Sequence, residues 1–150
     1  MSAAPTAEIL LAEDNPQDLE LSRRALRKTN LPHRVHVARD GAEVLDFVFC
    51  EGAHAGRRIE DTPKVMLLDL KMPKVDGFGV LKRVKRDPRT AMIPVVMLTA
   101  SNDEDDVLNS YRLGVNSYIV KSVNFDGFAA AVQVVCTYWL LLNQPVRLRE

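Results

Sequence analysis

A handful of residues stand where their types and spacing could do chemistry. Glu13 and Asp14 follow the apolar run EILLA, and Asp69 lies at the end of KVMLLDL. Thr99, with Ala100 behind it, ends IPVVMLT, and Lys121 follows SYIV. Three carboxylates do not crowd into one pocket unless a cation neutralises them, and hard oxygen ligands of this kind suit Mg²⁺. A cation so held acts as a charge clamp for moving a phosphoryl group onto a carboxylate. Lys121 would balance the remaining charge, and Thr99 would bond a phosphoryl oxygen. Each feature alone has a plainer explanation. An acidic pair after a strand is usually a helix cap, an Asp at a strand end is more often a cap than a nucleophile, and a single Thr or Lys there means little. Their joint placement at four strand ends is what points to a site.

The elements that must position these residues are legible as alternating patterns. Four short apolar runs, Glu8–Ala12, Lys64–Leu70, Ile93–Thr99 and Ser117–Val120, suit strands buried on both faces. His33–Ala38 alternates more and suits an edge strand. Helical patterns separate the runs. Asn15-Pro16 is a cap followed by proline at the first helical position, and Leu19, Ser22, Ala25 and Leu26 share one face up to about Thr29. Asp40-Gly41 opens a second helix with Val44, Leu45 and Val48 inward. Val80, Leu81 and Val84 mark a third, stopped by Asp87-Pro88. Ser101 or Asn102 is expected to cap a fourth, with Asp103 to Asp106 in its first turn and Gly114 at its end. The last is expected to run from Asn124 to about Leu142, with Phe128, Val132, Val135 and Trp139 on one stripe. Five β–α repeats imply an α/β fold, a doubly wound parallel sheet whose ligands bind outside the carboxyl ends of the strands.

Composition bounds the function. The 150 residues are 47% hydrophobic and 27% charged, enough for one globular domain that needs neither disulfide nor metal to fold. Twenty basic residues against 20 acidic ones give zero net charge, which argues against a general nucleic-acid binder. Locally the balance fails: residues 71–89 carry seven basic and two acidic side chains. Cys50 and Cys136 lie in apolar contexts and are expected to be buried, reduced thiols. No signal-peptide pattern opens the chain, and the apolar stretch near Val134 to Leu142 looks too short and polar to span a bilayer, so a cytoplasmic location without membrane attachment is expected. Rival chemistries lack their residues. A haloacid-dehalogenase-type phosphatase needs a second Asp where Lys71 stands. GxxxxGK[ST] is absent, and Gly77-Phe78-Gly79 is neither placed nor completed as a dinucleotide loop. A flavodoxin would need a phosphate loop where Glu13-Asp14 would repel phosphate.

The segments ILLAEDNPQD, VMLLDLKMPKVDG, PVVMLTAS and YIVKS together resemble the receiver domain of two-component response regulators, from about residue 8 to 142. The resemblance implies a flavodoxin-like fold, (βα)5 with strand order 2-1-3-4-5, with tails at 1–7 and 143–150. It implies a phospho-acceptor Asp69 rather than a conventional enzyme, one that assists its own phosphotransfer and its own slow dephosphorylation. It further implies Mg²⁺ held by Glu13, Asp14, Asp69 and the carbonyl of Lys71, with Thr99, Ala100, Tyr118 and Lys121 stabilising the phosphoryl group or relaying the switch. Pro73 and Gly77 fit the loop after the acceptor strand. AEDNPQDLELSRRALRKTNLPHRVHVARDGAEVLDF, the loop near His54, RLGVNSYIVK and YWLLLNQP resemble the stand-alone regulators paired with bacterial phytochromes. That narrower likeness implies a phytochrome histidine kinase as partner. It also implies a homodimer through the fourth helix, fifth strand and fifth helix, with Tyr111, Tyr118, Phe128, Val132, Tyr138 and Trp139 at the interface. With no residues left for an effector, output is expected through a surface. The alternative is a degenerate receiver acting as a phosphorylation-independent interaction module. One departure stands out: the family's Lys-Pro, joined by a cis bond, is Lys121-Ser122 here, and a trans peptide is expected because cis costs about 2.5–4 kcal/mol before a non-proline residue.

Overall fold

The computed structural model describes residues 9–29, 31, 33–121 and 124–145. Glu8, the expected tail 1–7 and the Lys121–Ser122 peptide lie outside the described residues, as do positions 146–150 of the expected C-terminal tail. Strands β1 (Ile9–Ala12), β2 (Val35–Ala38), β3 (Val65–Leu68), β4 (Val95–Thr99) and β5 (Ser117–Val120) form one parallel sheet in the order 2-1-3-4-5. Helices α1 (Pro16–Arg27), α2 (Gly41–Phe49), α3 (Gly77–Arg86), α4 (Glu104–Arg112) and α5 (Phe125–Thr137) alternate with them. A 3-10 turn at Gly52–His54 interrupts the polar stretch after α2, and a π-helical turn at Tyr138–Leu142 extends α5.

The period of two along each central strand divides the core. Leu10, Ala12, Met66, Leu68, Val95 and Met97 face one way, towards α2 and α3 through Val44, Phe47, Val80 and Val84. Ile9, Leu11, Val65, Leu67, Val96 and Leu98 face the other, towards α1 and α5 through Leu19, Leu26, Phe128 and Val132. Both faces are covered, which is why these strands are continuous apolar runs.

Several expected boundaries shift for local reasons. Pairing of β4 begins at Val95 because Pro94 has no N–H to offer, and the carbonyl of Pro94 instead accepts from Met66. The β3 ladder ends at Leu68, which leaves Asp69 just past the strand with its N–H on the Ala12 carbonyl at 3.1 Å. The cap of α4 is Asp103, not Ser101 or Asn102. Its side chain accepts from the Asp105 N–H, while the Ser101 hydroxyl is spent on Asp106 at 2.6 Å. In α2 the inward position expected of Leu45 belongs to Phe47, with Leu45 only partly buried. Regular α5 ends at Thr137, and the Asn143 N–H reaches the Tyr138 carbonyl at 2.7 Å in the wider turn. Phe125–Leu142, longer than the Val134–Leu142 stretch considered above, is thus 18 residues with a mean hydropathy of 1.5, long and apolar enough by length and composition to cross a membrane. Its inner face instead covers the sheet beside α1. Cys136 is buried, Cys50 only half-buried, and both are free thiols.

Two of the expected interface residues belong to the core. Phe128 and Val132 are 4% and 2% exposed because α5 turns that stripe onto the sheet, so neither is available to a second chain. Tyr111 and Tyr138 are exposed, while Tyr118 and Trp139 are half-buried.

Candidate functional site

The strand order reverses direction between β1 and β3, and a crevice opens there at the carboxyl ends. Glu13 and Asp14 leave β1 and Asp69 leaves β3. One carboxylate oxygen from each lies within 4.8 Å of the others, with Glu13 and Asp69 buried and Asp14 half-buried. The chain is held here by tight backbone contacts. Asn15 caps α1 by accepting from the Gln17 and Asp18 N–H groups. Gly77 packs so close that a Cβ would stand 2.6 Å from the Asp69 carbonyl, so no larger residue would let α3 start beside the acceptor strand. Lys74, in the same loop, adopts a left-handed backbone (φ 68°).

Lys121 reaches into the carboxylates from the end of β5. Its ammonium donates to Glu13, to Asp18 at 3.2 Å and to Asp69 at 3.4 Å, with the side chain only 12% exposed. Burial opposes the lysine's charge, but the hydrogen bond to Glu13 and the charges of Asp69 and Glu13 outweigh it and raise its pKa. Glu13 shows the complementary effect. Burial first, then the hydrogen bond with Asp69, push its carboxyl up to about 8 against the pull of Lys121. One lysine cannot neutralise four acids in so small a volume, and that deficit is what a divalent cation would fill.

The cleft is lined by Asp14, Asp69, Lys71, Thr99, Ala100 and Lys121 among others, while Glu13 does not line it and joins the set through its buried carboxylate, close to those of Asp14 and Asp69. Thr99 is buried, with its hydroxyl 3.4 Å from the Ser101 N–H. Tyr118 does not line the cleft. Its hydroxyl donates to the Ser101 carbonyl at 2.9 Å, tying β5 to the loop after β4. Two participants escaped the sequence reading. Asp18 stands three residues after the α1 cap, a spacing that places it in the first turn beside Asp14 and could have been noticed. Ser101 links Tyr118, Asp106 and Thr99, which no spacing rule reveals.

The response regulator receiver domain family matches residues 9–133. The chain belongs to that family. This receiver is 38% identical to the response regulator Rcp1 of Synechocystis over 91% of its own length and 90% of that protein's. The structure of Rcp1 in its Mn²⁺-bound form superposes with a TM-score of 0.84 at 37% identity, covering 95% of this chain and 99% of that one. The phosphorylated cyanobacterial phytochrome response regulator RcpA gives a TM-score of 0.84 at 39% identity, over 94% and 99% of the two chains. The bacteriophytochrome response regulator AtBRR gives 0.74 at 50%, over 94% and 100%. The receiver is a phospho-acceptor rather than a conventional enzyme, and its acidic cluster suits a divalent metal.

Proposed function

We propose that this receiver takes a phosphoryl group on Asp69 from the phosphohistidine of a sensor kinase of the phytochrome class, and signals through the surface formed by α4, β5 and α5. The observation that carries it is the position of Asp69, buried just past β3 yet open to the cleft, with Glu13 and Asp14 beside it and Lys121 at 3.4 Å. Bound Mg²⁺, held by Glu13, Asp14, Asp69 and the Lys71 carbonyl, would supply the positive charge that lets an anionic phosphoryl group approach these acids. A carboxylate oxygen of Asp69 attacks phosphorus, the bond to the histidine nitrogen breaks, and an acyl phosphate forms. The Lys121 ammonium, the Thr99 hydroxyl and the Ala100 N–H stabilise the phosphoryl oxygens. Slow hydrolysis of the same bond restores Asp69.

The new group adds up to about two negative charges. Thr99 moves towards it, and Tyr118, now held on the Ser101 carbonyl, follows into the vacated space. The readout is the exposed apolar surface of α4 and the α5 extension, where Tyr111, Tyr138, Leu141 and Leu142 face solvent. A homodimer through this surface is our reading of its use, with no part for nucleic acid or membrane and with a cytoplasmic location. A phosphorylation-independent interaction module would not need the full acidic set. Incubation with Mg²⁺ and a small phosphodonor should label the wild-type chain and leave Asp69→Asn unlabelled. Equal labelling of both would sink the proposal.

A further inference from the structure

Away from the crevice, at the edge strand β2, two imidazoles and a carboxylate face one another. His36 projects from β2, Glu43 from the first turn of α2, and His54 from the 3-10 turn that follows α2. One ligand atom of each lies within 4.8 Å of the other two. His36 Nε2 is shielded from solvent, has no hydrogen-bond partner, and lies 3.6 Å from Glu43 Oε1. A buried nitrogen left without a partner requires an explanation. The other Glu43 oxygen accepts from the Arg39 N–H at 3.1 Å, which fixes the carboxylate with Oε1 turned to His36. Phe47 braces both rings. It stacks on His36 at 4.3 Å between centroids and meets His54 edge-on at 5.1 Å.

We propose that His36, Glu43 and His54 form a binding site for a borderline first-row divalent ion of the Zn²⁺ type, which would pin the turn after α2 to the edge strand. Zn–N and Zn–O bonds of roughly 2.0–2.2 Å set tetrahedral neighbours roughly 3.3–3.5 Å apart, close to the observed 3.6 Å. Two nitrogens and one oxygen select such an ion over Mg²⁺, which prefers oxygen alone. The three side chains are each half-buried and supply three ligands, the number that leaves a fourth tetrahedral position for water. Arg57 is the one cation that faces the cluster among the described residues of these elements. Its guanidinium lies over Phe47 and donates to the Phe47 and Asp61 carbonyls. The site shares no residue with the acidic crevice.

The experiment uses the whole chain, with Asp14→Asn and Asp69→Asn removing the competing carboxylates. Titration with Zn²⁺ against a chromophoric chelator should find one equivalent bound, weakened by about tenfold or more when His54→Gln or Glu43→Gln is added. In the same doubly substituted protein, one equivalent of Zn²⁺ should shift the imidazole resonances of His36 and His54 and leave His33 unmoved. Failure to bind one equivalent, weakening short of about tenfold in both variants, or a shift confined to His33 would each overturn the proposal.

Discussion

Two half-buried lysines stand at opposite ends of β4 and β5, and each donates three hydrogen bonds. Lys85 lies at the amino ends, where its ammonium holds the Ala91 carbonyl at 3.0 Å, the Ile93 carbonyl at 2.7 Å and the Asn116 side chain at 3.1 Å. Lys121 lies at the carboxyl ends and holds three carboxylates. The neutral acceptors around Lys85 offset its loss of water only in part, and burial pulls its pKa down to about 8. The acids around Lys121 do the reverse. The first lysine is therefore a clip that ties α3 to the segments entering β4 and β5. The second is a counter-charge, surrounded by more negative charge than it can neutralise. The same side chain serves structure at one end of the sheet and chemistry at the other because of what its ammonium faces.

The largest expected effect is on the chemistry. Lys121→Met should slow labelling by a small phosphodonor about 100-fold, the size of one lost electrostatic donor, and should make the melting temperature more dependent on added divalent cation. A wild-type labelling rate would break the contrast. Lys85→Met should leave the labelling rate within about twofold but lower the unfolding free energy by about 1–2 kcal/mol, because three part-buried or exposed acceptors lose their donor. Denaturant unfolding checks the second part, and a large fall in labelling would show that the two ends are coupled. Asn116→Ala removes the acceptor for Lys85 and for the Val95 N–H at 2.8 Å, and should cost about 1–2 kcal/mol. Combined with Lys85→Met it should cost less than the sum of the two, since they share a bond.

The smallest effect concerns an exposed pair that frames the contrast. Arg89 donates two side-chain bonds and its N–H to Asp87 and holds that carboxyl at about 2. A carboxyl depressed in the folded state stabilises the fold above its unfolded pKa near 3.9 and loses that contribution as pH falls towards 2. Wild type should therefore lose more stability than Asp87→Asn between about pH 4 and pH 2. Parallel curves would show that the pair adds nothing.

Much of the fold was legible because strand, cap and turn signals act over a few residues. Asn15, Asp40 and Asn124 start their helices as short-range rules lead one to expect, and Gly114 ends the α4 segment at φ 101°. The α4 cap was misplaced because the Ser101 hydroxyl and carbonyl are claimed by Asp106 and Tyr118, and the latter is 17 residues away. Phe128 and Val132 were assigned to a surface because an apolar stripe does not announce which partner it meets.

By itself, the sequence determined the five strands and five helices, the caps of α1, α2 and α5, and the acids, threonine and lysine that end the strands. These depend on periodicity and on bonds between near neighbours. Only the tertiary structure decided that Lys121 meets Glu13, 108 residues away, that Asp18 joins them, and that His36 faces Glu43 and His54. Such meetings depend on the strand order and on which face each helix turns to the sheet. Both are set by packing the whole core at once, and no local pattern carries that information.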